Sequence, residues 1–318
     1  MQGTVLSGSN NIFTVECDDN VIRQCSIKGK KLKEVKGYYN PLAPGDVVEI
    51  QPDSLDNEIG QVISLVPRKN EFVRWNVKGR APQLLAANLD YLMIVTTPNE
   101  PPFRPRFVDR ALAQAEYTGL TPVIVCNKYD LESDENIEAR LTDWECIGYK
   151  VLRISAKTGE GLTELAALME DSLSAFVGQS GVGKSSLINV LDSSCVLKTG
   201  SLSEKYGRGT HTTTKGTLIH LTLNEALMGG RKNAKASIID TPGVRRFVLH
   251  DIAPQDLALY FREMKPYVGQ CTFGMSCHHN RESGCKIQEA VHSGIISEER
   301  FESWQRICQE IATGSWED

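Results

Sequence analysis

The sequence predicts an α/β protein in three parts. A P-loop domain with its motifs in rotated order stands at the centre. A small barrel of the oligonucleotide-binding (OB) type precedes it, and a small helical metal-bound domain follows. Three observations carry this reading. Apolar runs at 89–97, 121–126, 150–154 and 174–177 alternate with amphipathic helical stretches, as in a parallel sheet covered by helices. Short alternating segments divided by turn residues fill the first 66 residues with no strong helix among them. Cysteines and histidines crowd into residues 271–285.

The expected barrel strands are 3–6, 12–17, 21–27, 46–51 and 61–66, giving a domain over 1–66. Between the third and fourth strands lie Lys28, Lys30, Lys31, Lys33 and Lys36, followed by Tyr38 and Tyr39. Cations beside aromatics can hold a phosphate backbone and stack on bases; the plainer alternative is a solvated loop with tyrosines packed beneath it. Residues 67–83 read as a linker and carry a second basic stretch, Arg68, Lys69, Arg74, Lys78 and Arg80.

From 84 to 248 the sheet-and-helix pattern predicts helices near 107–117, 136–146, 162–173 and 184–191, with further strands at 216–223 and 236–240 and a hairpin excursion at 224–235. Within this domain Gly178-Gln179-Ser180-Gly181-Val182-Gly183-Lys184-Ser185-Ser186 follows a strand and opens a helix. That context is what a phosphate-binding loop requires, because its backbone N–H groups and the helix N-terminus then face the phosphates. Lys184 would neutralise the β- and γ-phosphates, and Ser185 would place its hydroxyl on Mg²⁺. Asp240 ends an apolar strand and is read as a further Mg²⁺ contact, with the Gly243 N–H on the γ-phosphate. Residues 198–216 hold few large apolar side chains and are expected to order only with a partner. They include His211 followed directly by Thr212, Thr213 and Thr214; Thr213 is the expected Mg²⁺ ligand, with Thr212 open as the alternative.

The base-recognition residues come earlier in the chain. Asn127-Lys128-Tyr129-Asp130 follows a strand, and Ser155-Ala156-Lys157 follows the next. A carboxylate at 130 accepts two hydrogen bonds from guanine N1–H and its 2-amino group, which adenine cannot offer in that geometry. Lys128 would lie along the base, Asn127 would tie this loop to the phosphate loop, and the Ala156 N–H would reach guanine O6. The complete set specifies GTP. Its order is that of a circular permutation, which is tolerated when the ends of a domain lie close together on its surface. Val244 stands where a water-orienting glutamine is common. His211 is therefore the candidate to orient or deprotonate water.

Residues 249–318 read as a helical domain around Cys271-x5-Cys277-x-His279-x5-Cys285, three thiolates and an imidazole suited to one structural tetrahedral Zn²⁺. His278 competes with His279, and His279 is favoured because adjacent residues seldom chelate together. The remaining cysteines, Cys17, Cys25, Cys126, Cys146, Cys195 and Cys308, read as small buried hydrophobes. No run approaches the roughly 18 apolar residues of a membrane span. No secretory signal is visible at the start, so a cytoplasmic location without a membrane partner is expected. The net charge of −5 argues mildly against nucleic acid, but the local basic stretches do not.

Taken together, the motif order, the valine after Asp-Thr-Pro-Gly, the His-Thr-Thr-Thr segment, the five-strand region and the cysteine–histidine cluster resemble the ribosome small-subunit-dependent GTPase family (RsgA, also called YjeQ) over essentially the whole chain. The resemblance implies GTP hydrolysis stimulated by the small ribosomal subunit, a role in late maturation of that subunit, contacts with its rRNA, and a monomer. It also implies His211 as the catalytic histidine and Cys271, Cys277, His279 and Cys285 as zinc ligands. Two other readings stand beside it: a permuted GTPase of large-subunit assembly, and a non-enzymatic, GTP-gated RNA-binding module.

Overall fold

The computed structural model describes residues 1–318 except 10, 30–31, 33–36, 78, 133, 193, 195–215, 242–246, 281 and 317–318. Strands β1 (Gln2–Ser9), β2 (Ile12–Cys17), β3 (Ile22–Ile27), β4 (Val47–Pro52) and β5 (Ile59–Leu65) close a barrel in the order β1-β2-β3-β5-β4. β3 and β5 run parallel and the other pairs antiparallel, so this is the OB topology expected. Alternation decides what goes inside: Val5, Phe13, Val15, Cys25, Val48, Ile50 and Val62 point inward and form one core.

The stretch read as a linker is instead structured. Strands β6 (Glu71–Asn76) and β7 (Ala81–Ala87) pair antiparallel. A two-stranded ribbon is marginal alone, and this one is held from both sides. Asn40 exchanges hydrogen bonds with Leu84, and the Asn88 side chain donates to the Gly45 carbonyl on the barrel side. On the other side Phe72 stacks on Phe247 at 5.4 Å, and the Trp75 N–H donates to the Val248 carbonyl. The polar and charged residues that mark this ribbon as a linker in the sequence serve as its brackets. Arg68 pairs with Asp46 of the barrel and with Glu71, and Lys69 pairs with Asp90.

The central sheet has the order β10-β9-β8-β11-β13-β12, from β8 (Tyr91–Thr96), β9 (Pro122–Cys126), β10 (Lys150–Arg153), β11 (Leu173–Gly178), β12 (Thr217–Thr222) and β13 (Lys235–Asp240). Only β12 runs antiparallel. The order reverses between β8 and β11, and ligands of such sheets bind outside the carboxyl ends of the strands at that switch point. Helices α1 (Pro105–Thr118) and α2 (Glu135–Cys146) cover one face; α3 (Leu162–Met169) and α4 (Lys184–Leu191) cover the other. α1 starts on a proline and stops at the left-handed Gly119; Asp134 caps α2 by accepting from two backbone N–H groups. Helix α3 ends at Met169, short of the expected 173, because Leu173 already belongs to β11 and Asp171 turns the chain with φ 53°.

After residue 246 the chain forms short 3₁₀ turns and two helices, α5 (Lys286–His292) and α6 (Glu298–Thr313). The sequence marks this region as a separate small domain, yet its core is continuous with the sheet. Phe247, Leu257, Phe261, Ile287, Trp304 and Ile307 join Leu92, Ile94, Phe107, Leu112 and Trp144 in one cluster. Charge crosses the same boundary. Asp109 of α1, fully buried, accepts from Arg140 and Trp144 of α2 and from Arg300 of α6, and Arg300 also donates to Glu263. The two guanidiniums hold the Asp109 carboxyl below the usual range against the opposing effect of burial. No helix among the described residues is long and apolar enough to cross a membrane.

Candidate nucleotide site and metal centre

The carboxyl ends of β8, β9, β10, β11 and β13 bring the base and phosphate motifs to one edge of the sheet. Asn127, 1% exposed, is the joint between them. Its Nδ2 donates to the Val182 carbonyl at 2.8 Å, and its Oδ1 accepts from the Ala156 N–H at 3.1 Å. One side chain thus ties the phosphate loop to both base segments. The loop sequence follows from this packing. Gly183 has φ 93°, and a Cβ there would lie 2.3 Å from Asn127 Nδ2; a Cβ on Gly178 would lie 2.4 Å from the Val95 carbonyl oxygen. The expectation of an Ala156 N–H open to guanine O6 differs from what is found, because that donor is already bound to Asn127.

Asp130 is held by Ser155, whose hydroxyl donates to Oδ1 at 2.6 Å, while the Lys157 ammonium stands 3.8 Å from Oδ2. The Ser155 hydrogen bond draws the Asp130 carboxyl below its ordinary pKa, so it is ionised and ready to accept. Ser155 is fully buried and accepts in turn from the N–H groups of Lys157 and Thr158, which fixes the second base segment. Lys128 adopts φ 60° and points its ammonium at the Glu100 carbonyl, 2.5 Å away.

On the phosphate side Lys184 folds over its own loop and donates to the carbonyls of Gly178 and Gln179 at 2.8 and 3.0 Å. Burial lowers its pKa and raises that of Asp240, with the attraction between the two opposing both shifts. Asp240 Oδ1 is buried and has no hydrogen-bond partner among the described residues. An orphaned buried carboxylate oxygen beside a phosphate loop suits a hard cation such as Mg²⁺. Ser185 and Ser186 start α4 at the mouth of the same loop. His211, Thr212, Thr213, Gly243 and Val244 lie outside the described residues, as do Lys30, Lys31, Lys33, Lys36, Lys78 and Cys195.

The metal centre is independent of this pocket. Cys271, Cys277, His279 and Cys285 are all buried, and their ligand atoms lie within 4.8 Å of one another. Cys271 Sγ and Cys285 Sγ are 3.9 Å apart, and each is 3.4–3.5 Å from His279 Nδ1. A tetrahedron with metal–sulfur bonds near 2.3 Å has edges of about 3.8 Å, so the four groups fit a Zn²⁺-sized ion. Burial pushes the Cys285 thiol up to about 12 and lowers the pKa of His279, a state in which a cation must displace thiol protons while the imidazole is already neutral. His279 takes φ 55°, which turns its ring inward and leaves neighbouring His278 exposed.

Other expected site features fare differently. Tyr38 packs, with its hydroxyl donating to Glu71 and its ring under Arg68; Tyr39 is 55% exposed. In the second basic stretch Arg68 is spent on the buried Asp46 and Arg74 on Gln83, while Lys69, in a surface pair with Asp90, and Arg80 are exposed. Cys146 is exposed rather than buried, since it closes α2 at the surface. Sequence reasoning missed the turn at 97–101 that meets Lys128; the signal was a cluster of prolines, Pro98, Pro101 and Pro102, directly after a strand of the switch point.

Comparison with known proteins agrees with this geometry. The RsgA GTPase family model matches residues 65–250. The chain is 34% identical to a small ribosomal subunit biogenesis GTPase RsgA of Borrelia recurrentis, covering 96% of this chain and 93% of that one. It is 35% identical to the protein of the same description from Chlorobaculum tepidum, covering 98% of each. The crystal structure of YjeQ from Thermotoga maritima is similar with a TM-score of 0.70 and 30% identity over 98% of both chains. That of YloQ, described as a circularly permuted GTPase, shares the fold with a TM-score of 0.69 at 24% identity, covering 99% of this chain and 96% of that one.

Proposed function

This chain belongs to the RsgA GTPase family, and from that premise we propose that it hydrolyses GTP to GDP and phosphate on the small ribosomal subunit during that subunit's late maturation. The observation that supports the reading is the Asn127 joint, which ties the 178–183 loop to the 155–157 segment that holds Asp130. In this reading Asp130 selects the base with Lys128 along its face, and Asn127, Ser155, Ala156 and Lys157 hold that side together. Residues 178–186 wrap the phosphates, and Lys184 is freed from its two carbonyls to neutralise them. Ser185, Asp240 and Thr213 would hold Mg²⁺, which supplies charge neutralisation at the β- and γ-phosphates. Gly243 senses the γ-phosphate, and His211 orients the attacking water, because Val244 cannot.

The cysteine–histidine centre would hold Zn²⁺ as a structural ion, supported by the tetrahedral spacing of its four ligand atoms. Contact with rRNA falls to the barrel's lysine-rich stretch and the exposed Tyr39, together with the exposed Lys69 and Arg80, whereas Arg68 and Arg74 are turned to internal partners.

Phosphate release from GTP, measured with the purified chain alone and with isolated small or large subunits, tests the proposal. Stimulation by small subunits only is the expected result, with co-sedimentation in a non-hydrolysable GTP analogue. Equal turnover of ATP, or stimulation by large subunits only, would overturn it.

A further inference from the structure

We propose that Thr97 is a positioning residue for Lys128, acting through the turn 97–101. The inference rests on the reading of this pocket as a guanine site and adds to it an element outside the base and phosphate motifs. Lys128 has a flexible four-carbon stem, and holding its ammonium in one place costs rotamer entropy. Among the described residues that ammonium is held by one acceptor, the Glu100 carbonyl at 2.5 Å. A carbonyl in a surface turn aims well only if the turn is closed.

Thr97 closes it. Its side chain is 1% exposed, at the end of β8, and its hydroxyl donates to the Pro101 carbonyl at 2.8 Å. The turn also lies close to the other half of the site: Pro101 Cδ is 3.7 Å from where a Cβ on Gly181 would stand. Beyond it, Phe103 rests edge-on against Trp144 at 6.0 Å, which anchors the far side of the turn to α2. The switch point of the sheet therefore presents a braced turn against both loops. Its Glu100 carbonyl holds the Lys128 ammonium. Because that carbonyl belongs to the backbone, the Thr97 hydroxyl is the side-chain handle on it.

The test is the dissociation rate of a fluorescent GDP from the full-length protein with Mg²⁺. Thr97→Val keeps the shape and deletes the donor. It should speed dissociation about fivefold, the weight of one neutral hydrogen bond. Thr97→Ser should retain the wild-type rate. In a Lys128→Ala background Thr97→Val should have no further effect, since the pathway is already cut. Should Thr97→Val not fold, Thr97→Ala carries the same expectation. A wild-type rate in the Val or Ala variant, or effects that add in the double variant, would overturn the inference while leaving the guanine site intact. Failure of the wild-type chain to retain any guanine nucleotide would instead overturn the functional reading beneath it.

Discussion

Replacing Asp109 by Asn tests whether the C-terminal helices are fastened to the nucleotide domain by buried charge. The substitution conserves volume, so no cavity contributes. Asp109 receives three donors on two oxygens: Arg140 on Oδ2, and Arg300 with Trp144 Nε1 on Oδ1. An asparagine keeps one acceptor and turns an NH₂ group toward a guanidinium. Breaking a buried pair by removing one partner costs about 3–5 kcal/mol. Here Arg140 retains Asp143 at 3.3 Å and Arg300 retains Glu263 at 2.7 Å, so neither cation is abandoned. The lower end, about 3 kcal/mol, is therefore expected, against a total stability on the order of 5–15 kcal/mol. Equilibrium urea unfolding followed by tryptophan fluorescence near neutral pH measures it. The folded-state pKa of Asp109 is depressed, so its contribution is fully present above the unfolded value near 3.9 and is lost as pH falls through the folded value. The variant should accordingly lose stability at neutral pH and show a shallower acid limb. A loss below about 1 kcal/mol would refute the argument, since that is the scale of an exposed pair.

Three further outcomes follow from the site. Gly183→Ala adds a Cβ 2.3 Å from Asn127 Nδ2 at a φ of 93°, and should weaken GTP binding more than about tenfold by calorimetry while the fold is retained. Asp130→Asn keeps an acceptor for Ser155 but loses the charged acceptor of two guanine donors; competition binding should show GTP weakened about 100-fold and xanthosine triphosphate favoured. Stripping metal with a strong chelator should yield about one zinc per chain by mass spectrometry, and its return should release protons, because burial keeps the Cys277 and Cys285 thiols protonated without a cation. Trp304, edge-on to His279 at 6.0 Å, should report the loss through its fluorescence.

Much of the fold was legible because its signals are local. Alternation over residues 2–65 marked the barrel strands to within a few positions, and the apolar runs marked the parallel sheet. The candidate nucleotide site was legible in the same way, since Asn127 directly follows β9, Gly178 ends β11 and Lys184 opens α4. Interactions distant in sequence were not. The β6–β7 ribbon looked like a linker because its charged residues are those that bracket it to Asp46 and Asp90. The Asp109 cluster joins residues up to 191 positions apart, and no spacing rule reveals such a pair. Thr97 hid for a related reason: a threonine after a strand is ordinary until its turn is seen against Lys128.

The unbroken apolar seam from the sheet into α6 bears on how the molecule comes apart. A chain truncated after residue 248 would bare the buried side of α1 and take Arg300 away from the fully buried Asp109. Calorimetry of the intact protein should then give a single endotherm for the sheet and the C-terminal tail, with the tail acting as a buttress whose removal leaves an aggregating remnant rather than a smaller enzyme.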